Sequence, residues 1–123
     1  MSTKTILITD DEPHMRRLIA FSLKRTGHTL LQAESGEDAL DRIGRETVDL
    51  LLIDYGLNGI NGMDTINTMR QLESGSTIPV ILLTALGDTG IRDDAQNAGV
   101  NAFMTKPFSP VELTQLVEEL LAS

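Results

Sequence analysis

The 123-residue sequence contains no cysteine, which excludes disulfides, thiolate-bound zinc and a cysteine nucleophile. It holds two histidines, His14 and His28, and neither belongs to a histidine–carboxylate cluster, so the donor sets of zinc and iron centres are missing. Its apolar runs are far too short to cross a bilayer, and the N-terminus lacks an apolar signal-peptide core. The expectation is therefore a cytoplasmic protein with no membrane partner. Cations are scarce: 10 Lys and Arg stand against 18 Asp and Glu, a formal charge of −8. A face basic enough to bind nucleic acid directly is not expected. No internal repeat or low-complexity tract is present, and the length suits one domain over residues 1–123 with a core that needs no staples.

What the sequence does contain is a regular alternation of strand and helix signals. Ile6 to Thr9 reads as a first strand, followed by the acidic corner Asp10-Asp11-Glu12 and by Pro13, a residue suited to the first turn of a helix that Glu12 could cap. That helix carries Met15, Leu18, Ile19, Ser22 and Leu23 at helical spacing and ends at Gly27. Thr29 to Ala33 gives a second strand, and Ser35 caps a helix with Ala39, Leu40 and Ile43 inward. Leu50 to Ile53 is an unbroken aliphatic run, the habit of a central strand buried on both faces. Two Asn-Gly pairs, Asn58-Gly59 and Asn61-Gly62, then mark a tight turn, and a helix follows from about Met63 through Ile66 and Met69. Pro79 opens a fourth strand that closes at Thr84. A thinly apolar helix, roughly Thr89 to Ala98, precedes the fifth strand, and Ser109-Pro110-Val111-Glu112 has the form of a capping box for a last helix that buries Leu113, Leu116, Val117 and Leu120. Arg92, His14, His28 and the exposed acids of the last helix read as solvated surface.

The strands end on polar groups. Ile6–Thr9 runs into Asp10-Asp11, Leu50–Ile53 into Asp54, Val80–Leu83 into Thr84, and Phe103–Thr105 into Lys106. In an open α/β sheet the C-terminal ends of parallel strands line one edge, where ligands bind near the reversal of strand order. Three carboxylates, a hydroxyl and an ammonium thus converge from distant positions. Packed carboxylates repel one another unless a cation is present, and Mg2+ takes oxygen ligands of this kind.

Asp10-Asp11, Asp54, Thr84-Ala85, Phe103 and Lys106-Pro107-Phe108 together resemble the receiver domain of two-component response regulators, over essentially the full chain. The resemblance implies an α/β, flavodoxin-like (βα)5 sandwich with strand order 2-1-3-4-5. It implies that Asp54 accepts a phosphoryl group from the phosphohistidine of a sensor histidine kinase or a histidine phosphotransfer protein. Mg2+ would be held directly by Asp11, Asp54 and the Gly56 carbonyl, and by Asp10 through water. Lys106 and Thr84 would engage the phosphoryl oxygens. Movement of Thr84 and inward rotation of Phe103 would then remodel the face formed by the fourth helix, fifth strand and fifth helix, which meets a downstream protein effector.

Several departures from the family pattern carry expectations. Phe103 stands where tyrosine is frequent and has no hydroxyl to favour an outward pose. Asn58 stands where proline is usual, which should loosen the loop beside Asp54. Gly56 and Leu86 occupy the two positions that govern water access to the acyl phosphate, so substitution of Leu86 should alter its lifetime. Asn101-Ala102 replaces an acidic pair, and the last helix has no Lys or Arg after Ser109, so a monomer or weak dimer is expected. A different class of protein, an aspartyl-nucleophile phosphatase or phosphotransferase, would need an acid two residues after the nucleophile; that position is Gly56. The expectation is a phosphoacceptor and not a turnover enzyme.

Overall fold

The computed structural model of the chain describes residues 3–85 and 91–122, with Arg92 described by its backbone alone. Five strands, β1 (Thr5–Thr9), β2 (Thr29–Ala33), β3 (Leu50–Asp54), β4 (Val80–Ala85) and β5 (Ala102–Lys106), alternate with five helices, α1 (Pro13–Leu23), α2 (Gly36–Arg45), α3 (Gly62–Gln71), α4 (Arg92–Asn97) and α5 (Pro110–Ala122). The strands form one parallel sheet in the order β2-β1-β3-β4-β5. This is the flavodoxin-like arrangement that the resemblance implies. All five residues of β3 are buried, as expected of a central strand covered on both faces.

The aliphatic runs alternate between two cores. Leu7, Leu51, Ile53, Val80 and Leu82 face α2, α3 and α4, meeting Ala39, Ile43, Ile66, Met69 and Ala95. Ile6, Ile8, Leu50, Leu52, Ile81 and Leu83 face α1 and α5, meeting Ile19, Leu23, Leu113 and Val117. Burying a side chain of this size contributes about 1.5–3 kcal/mol relative to leaving it in water, so the two layers dominate what holds the sheet between its helices.

Capping follows the local sequence, with additions. Ser35 Oγ accepts from the Asp38 N–H at 3.0 Å, and Ser109 Oγ accepts from the Glu112 N–H at 3.3 Å. Asn61 and Asp64 form a reciprocal capping box at the start of α3, a device disguised in the sequence by the neighbouring Asn-Gly signals. Glu12 precedes α1 but its side chain makes no cap bond; instead its N–H donates to Asp10 Oδ1 at 2.8 Å. α1 ends at Leu23 and passes through a 3-10 turn before Gly27 takes the left-handed conformation at φ 77°. Leu18, expected inward, is 49% exposed, because α5 covers only the Ile19 and Leu23 side of the stripe. β4 begins at Val80, one residue after Pro79. His28 is not a free surface residue: its Nδ1 accepts from the Lys4 N–H at 3.0 Å and its Nε2 lies 2.9 Å from Glu118 Oε1.

Arg70, at the end of α3, donates to the carbonyls of Ala98 (2.9 Å), Gly99 (2.9 Å), Ile78 (2.7 Å), Gly75 (3.2 Å) and Ser76 (3.4 Å). One guanidinium fork thereby ties the end of α3 to the entrance of β4 and the C-terminal end of α4. No helix among the described residues is long and apolar enough to cross a membrane.

Candidate phosphoacceptor site

Strand order reverses at β1 and β3, so the crevice above their C-terminal ends is where a ligand fits. Asp10 follows β1 and is 1% exposed; Asp54 closes β3 and is 8% exposed. Asp11 is half-buried beside them, and oxygens of Asp10, Asp11 and Asp54 all lie within 4.8 Å of one another. Lys106 reaches in from the end of β5, placing Nζ 3.2 Å from Asp10 Oδ2 and 3.1 Å from Asp54 Oδ2. One ammonium thus spans two of the three carboxylates. The sequence placed Lys106 in this site but not its bridging position between Asp10 and Asp54.

The electrostatics reflect that geometry. Burial pushes the Asp54 carboxyl above its ordinary value; Lys106 opposes the rise, Asp10 adds to it, and a hydrogen bond from the Gly56 N–H opposes it. For Lys106 burial acts to lower the value, but the Asp54 and Asp10 carboxylates together outweigh it and hold the ammonium above its ordinary value. The site is therefore a desolvated nest of negative charge that depends on cations for its compensation.

The loop after β3 is tied down in two ways. Asp11 Oδ2 accepts from the Asn58 N–H at 3.1 Å. Proline at that position would lack the N–H, so the bond replaces by attachment some of the rigidity that the ring would supply. Further on, the Gly62 N–H donates to Tyr55 O at 2.9 Å. A Cβ on Gly62 would stand 2.6 Å from Asp54 O and 2.8 Å from Tyr55 Cα. Only glycine allows α3 to start this close to the backbone of Asp54. Gly62→Ala should cost about 2 kcal/mol by overpacking against backbone that cannot yield, read as a lower urea midpoint at unchanged slope. Gly62 and Arg16, whose Nη1 donates to Asp10 O at 2.7 Å, are site-supporting residues that sequence reasoning missed. The second Asn-Gly pair was the available signal for Gly62.

Strand alternation separates the remaining candidates. Thr84 (7% exposed) shares parity with Val80 and Leu82, on the side of α4, whereas Asp54 and Lys106 share parity with the residues that face α1 and α5. Phe103 pairs with Leu82 in register, which makes it a diagonal neighbour of Thr84 on the same face. It is half-buried against the α2–α4 core. Leu86 lies outside the described residues. The Lys106–Pro107 peptide is cis, one of the two geometries that Lys106-Pro107 allows.

Residues 6–118 match the response regulator receiver domain. The phosphate regulon transcriptional regulatory protein PhoB of Pseudomonas aeruginosa is 36% identical over 121 residues, covering 98% of this chain and 53% of that protein. The chain thus spans about half of that relative. A putative response regulator from Chloroflexus aurantiacus superposes with a TM-score of 0.92 at 34% identity, covering 99% of this chain and all of the other. The receiver domain of a sensor histidine kinase from Pseudomonas aeruginosa, solved with magnesium coordinated in its active-site cleft, superposes with a TM-score of 0.89 at 28% identity, covering 99% and 100% of the two chains.

Proposed function

Because the chain belongs to the response regulator receiver domain family, we propose that it accepts a phosphoryl group on Asp54 in the cytoplasm and regulates a protein effector. The observation that carries this reading is the Asp10–Asp11–Asp54 cluster bridged by Lys106. The donor is the phosphohistidine of a sensor histidine kinase or histidine phosphotransfer protein. An Asp54 carboxylate oxygen attacks phosphorus, the O–P bond of an acyl phosphate forms, and the N–P bond to the donor imidazole breaks. The imidazole leaves with that electron pair and takes up a proton.

The three clustered carboxylates fit a hard divalent cation, since their oxygens already converge, and a related receiver holds magnesium in its cleft. Asp11, Asp54 and the Gly56 carbonyl would hold Mg2+ directly, with Asp10 as the supporting carboxylate. When bound, the ion offsets carboxylate repulsion and the charge of the incoming phosphoryl group. The chain's own residues do the rest. Lys106 opposes the burial-driven rise at the Asp54 carboxyl and then faces the phosphoryl oxygens, neutralising charge that develops in transfer. Thr84 donates its hydroxyl to the attached group, and Phe103, beside it on the α4 face, follows by packing inward. This remodels the surface of α4, β5 and α5 where the effector binds. The domain works as a phosphoacceptor: with Gly56 in place of a second acid, it should show no sustained turnover of a generic phosphoester.

The direct test is incubation with a small acyl-phosphate donor and Mg2+, read by intact mass. A single added phosphoryl group is expected, and none in chelator. Uptake undiminished in chelator would overturn the metal assignment.

Pairing of activated copies through α4, β5 and α5 is disfavoured. Asn101 and Ala102 offer no acid there, and α5 carries Glu112, Glu118 and Glu119 but neither Lys nor Arg. Like charges brought together oppose association. Substitutions on that face should leave the sedimentation of the beryllofluoride-activated protein unchanged; a tight dimer that they abolish would refute this reading of the face.

A further inference from the structure

The three carboxylates of the site are not equally provided for. Asp10 has both oxygens engaged, Oδ1 by the Glu12 N–H at 2.8 Å and Oδ2 by Lys106 Nζ at 3.2 Å. Asp54 Oδ2 lies 3.1 Å from the same ammonium. Asp11 forms no ion pair among the described residues. Its Oδ2 accepts from the Asn58 N–H at 3.1 Å, and its Oδ1 has no hydrogen-bond partner there. A single neutral donor therefore holds this carboxylate, while a cation already serves the other two.

The donor is itself held in place. Leu57, immediately before Asn58, is 7% exposed and packs into the core beneath α2, α3 and α4. The Gly62 N–H closes the loop onto Tyr55 O at 2.9 Å, and the Asn61–Asp64 capping box fixes its far end to α3. Between these anchors Gly59 turns the chain at φ 79°, a conformation that glycine adopts without strain. Asn58 is an exposed residue, and its backbone N–H, not its side chain, makes the bond to Asp11. That bond joins the end of β1 to the loop after β3, two strands adjacent in the sheet. It thus spans the same crevice in which the carboxylates converge.

We propose that the Asn58 N–H is a positioning group for the cation site: by holding Oδ2 it fixes the Asp11 carboxylate so that Oδ1 is left for a divalent cation. The inference rests on the Mg2+ reading given under the proposed function and adds to it a group that is not itself a ligand. Hydrogen-bond partners behind ligating carboxylates typically change metal affinity by about ten- to a hundredfold when they are lost. The proline usual at this position in the family has no N–H, so the device comes with asparagine. The coupling also runs the other way. An ion that fixes Asp11 steadies the loop through the same bond, so Mg2+ should slow hydrogen exchange of the Asn58 N–H.

The test is an equilibrium titration of the unphosphorylated chain with Mg2+ alone, followed by backbone amide chemical shifts, in wild type, Asn58→Ala and Asn58→Pro. Alanine keeps the N–H and removes the side chain; proline removes the N–H at a position where its ring is familiar, so both variants should fold. Asn58→Ala should bind Mg2+ as wild type does, whereas Asn58→Pro should bind about tenfold more weakly. Urea titrations without Mg2+ separate this from a change in stability, since the affinity of the folded chain does not follow its unfolding midpoint. In wild type and Asn58→Ala, exchange of the residue 58 N–H should slow as the site fills. Equal affinity in Asn58→Pro and wild type would overturn the proposal and leave the metal site standing. An equal loss in both variants would also overturn it, by assigning the effect to the side chain. A wild-type chain that does not bind Mg2+ would refute the metal reading itself, and this inference with it.

Discussion

Asp54→Asn is expected to take up no phosphoryl group from any donor, a loss of at least about a thousandfold in labelling rate, because the amide lacks the anionic oxygen that attacks phosphorus. Asparagine is nearly isosteric with aspartate, so β3 and the turn after it should persist and circular dichroism should match wild type. The loss can then be ascribed to chemistry rather than unfolding. Asp10 and Asp11 are the carboxylates nearest to Asp54, yet neither should substitute for it. Asp10 is almost fully buried, with one oxygen on the Glu12 N–H and the other on Lys106, and Asp11 holds the Asn58 N–H. Residual labelling of the variant, located by peptide mapping to either residue, would show that the acceptor has been misassigned.

Lys106→Met should carry the other large effect, on stability as well as transfer. Nζ sits about equally far from Asp10 and Asp54, and its removal leaves two desolvated carboxylates without their cation. Breaking one side of such a pair typically costs about 3 kcal/mol or more; the 23% exposure of the lysine side chain argues for the lower end. The cost should depend on pH in a definite direction. Asp54 already has its folded-state pKa raised, and without Lys106 the rise is larger. Between the unfolded value of about 3.9 and that raised value, the folded state binds the extra proton, so stability falls as pH rises through this window. The variant should therefore lie closest to wild type under mildly acidic conditions and fall progressively behind toward neutrality. Lys106 itself is also raised, so its contribution to wild type is complete below its unfolded value of about 10.4 and is lost only above that. Millimolar Mg2+ should recover part of the deficit by binding the folded state. Phosphoryl transfer should stay slow even so, since no ammonium then meets the developing charge. Parallel urea titrations at several pH values, with and without Mg2+, measure all of this. A deficit independent of pH would mean that Lys106 matters by packing alone.

The strands and helices were legible because each obeys a local rule. Unbroken aliphatic runs such as Leu50–Ile53 mark strands buried on both faces, and Ala39 and Ile43 recur at helical spacing behind the Ser35 cap. The site residues were legible because they stand where such runs stop, and in a parallel sheet those stops share an edge. Pairing was harder to read. Glu12 occupies a capping position, but the Asp10 carboxylate, held by Lys106 from 96 residues away, is what engages its N–H. Leu18 read as one of the residues at helical spacing along α1; only the placement of α5 beside Ile19 and Leu23 left it half in solvent. Gly62 carried no mark that Asp54 O would lie where its Cβ would be.

The division between the two kinds of information has a physical basis. Backbone conformation, strand and helix boundaries and the burial parity of each run depend on side chains within a few residues, so the amino-acid sequence alone determined the βα alternation and which residues end at the sheet edge. Which carboxylate Lys106 neutralises, which N–H Asp11 accepts, and which apolar side chains α1 leaves uncovered depend on groups that meet only after the sheet has formed in the order 2-1-3-4-5. Those energies arise from burial and from charges a few ångströms apart. Such distances do not exist along the chain; tertiary packing creates them.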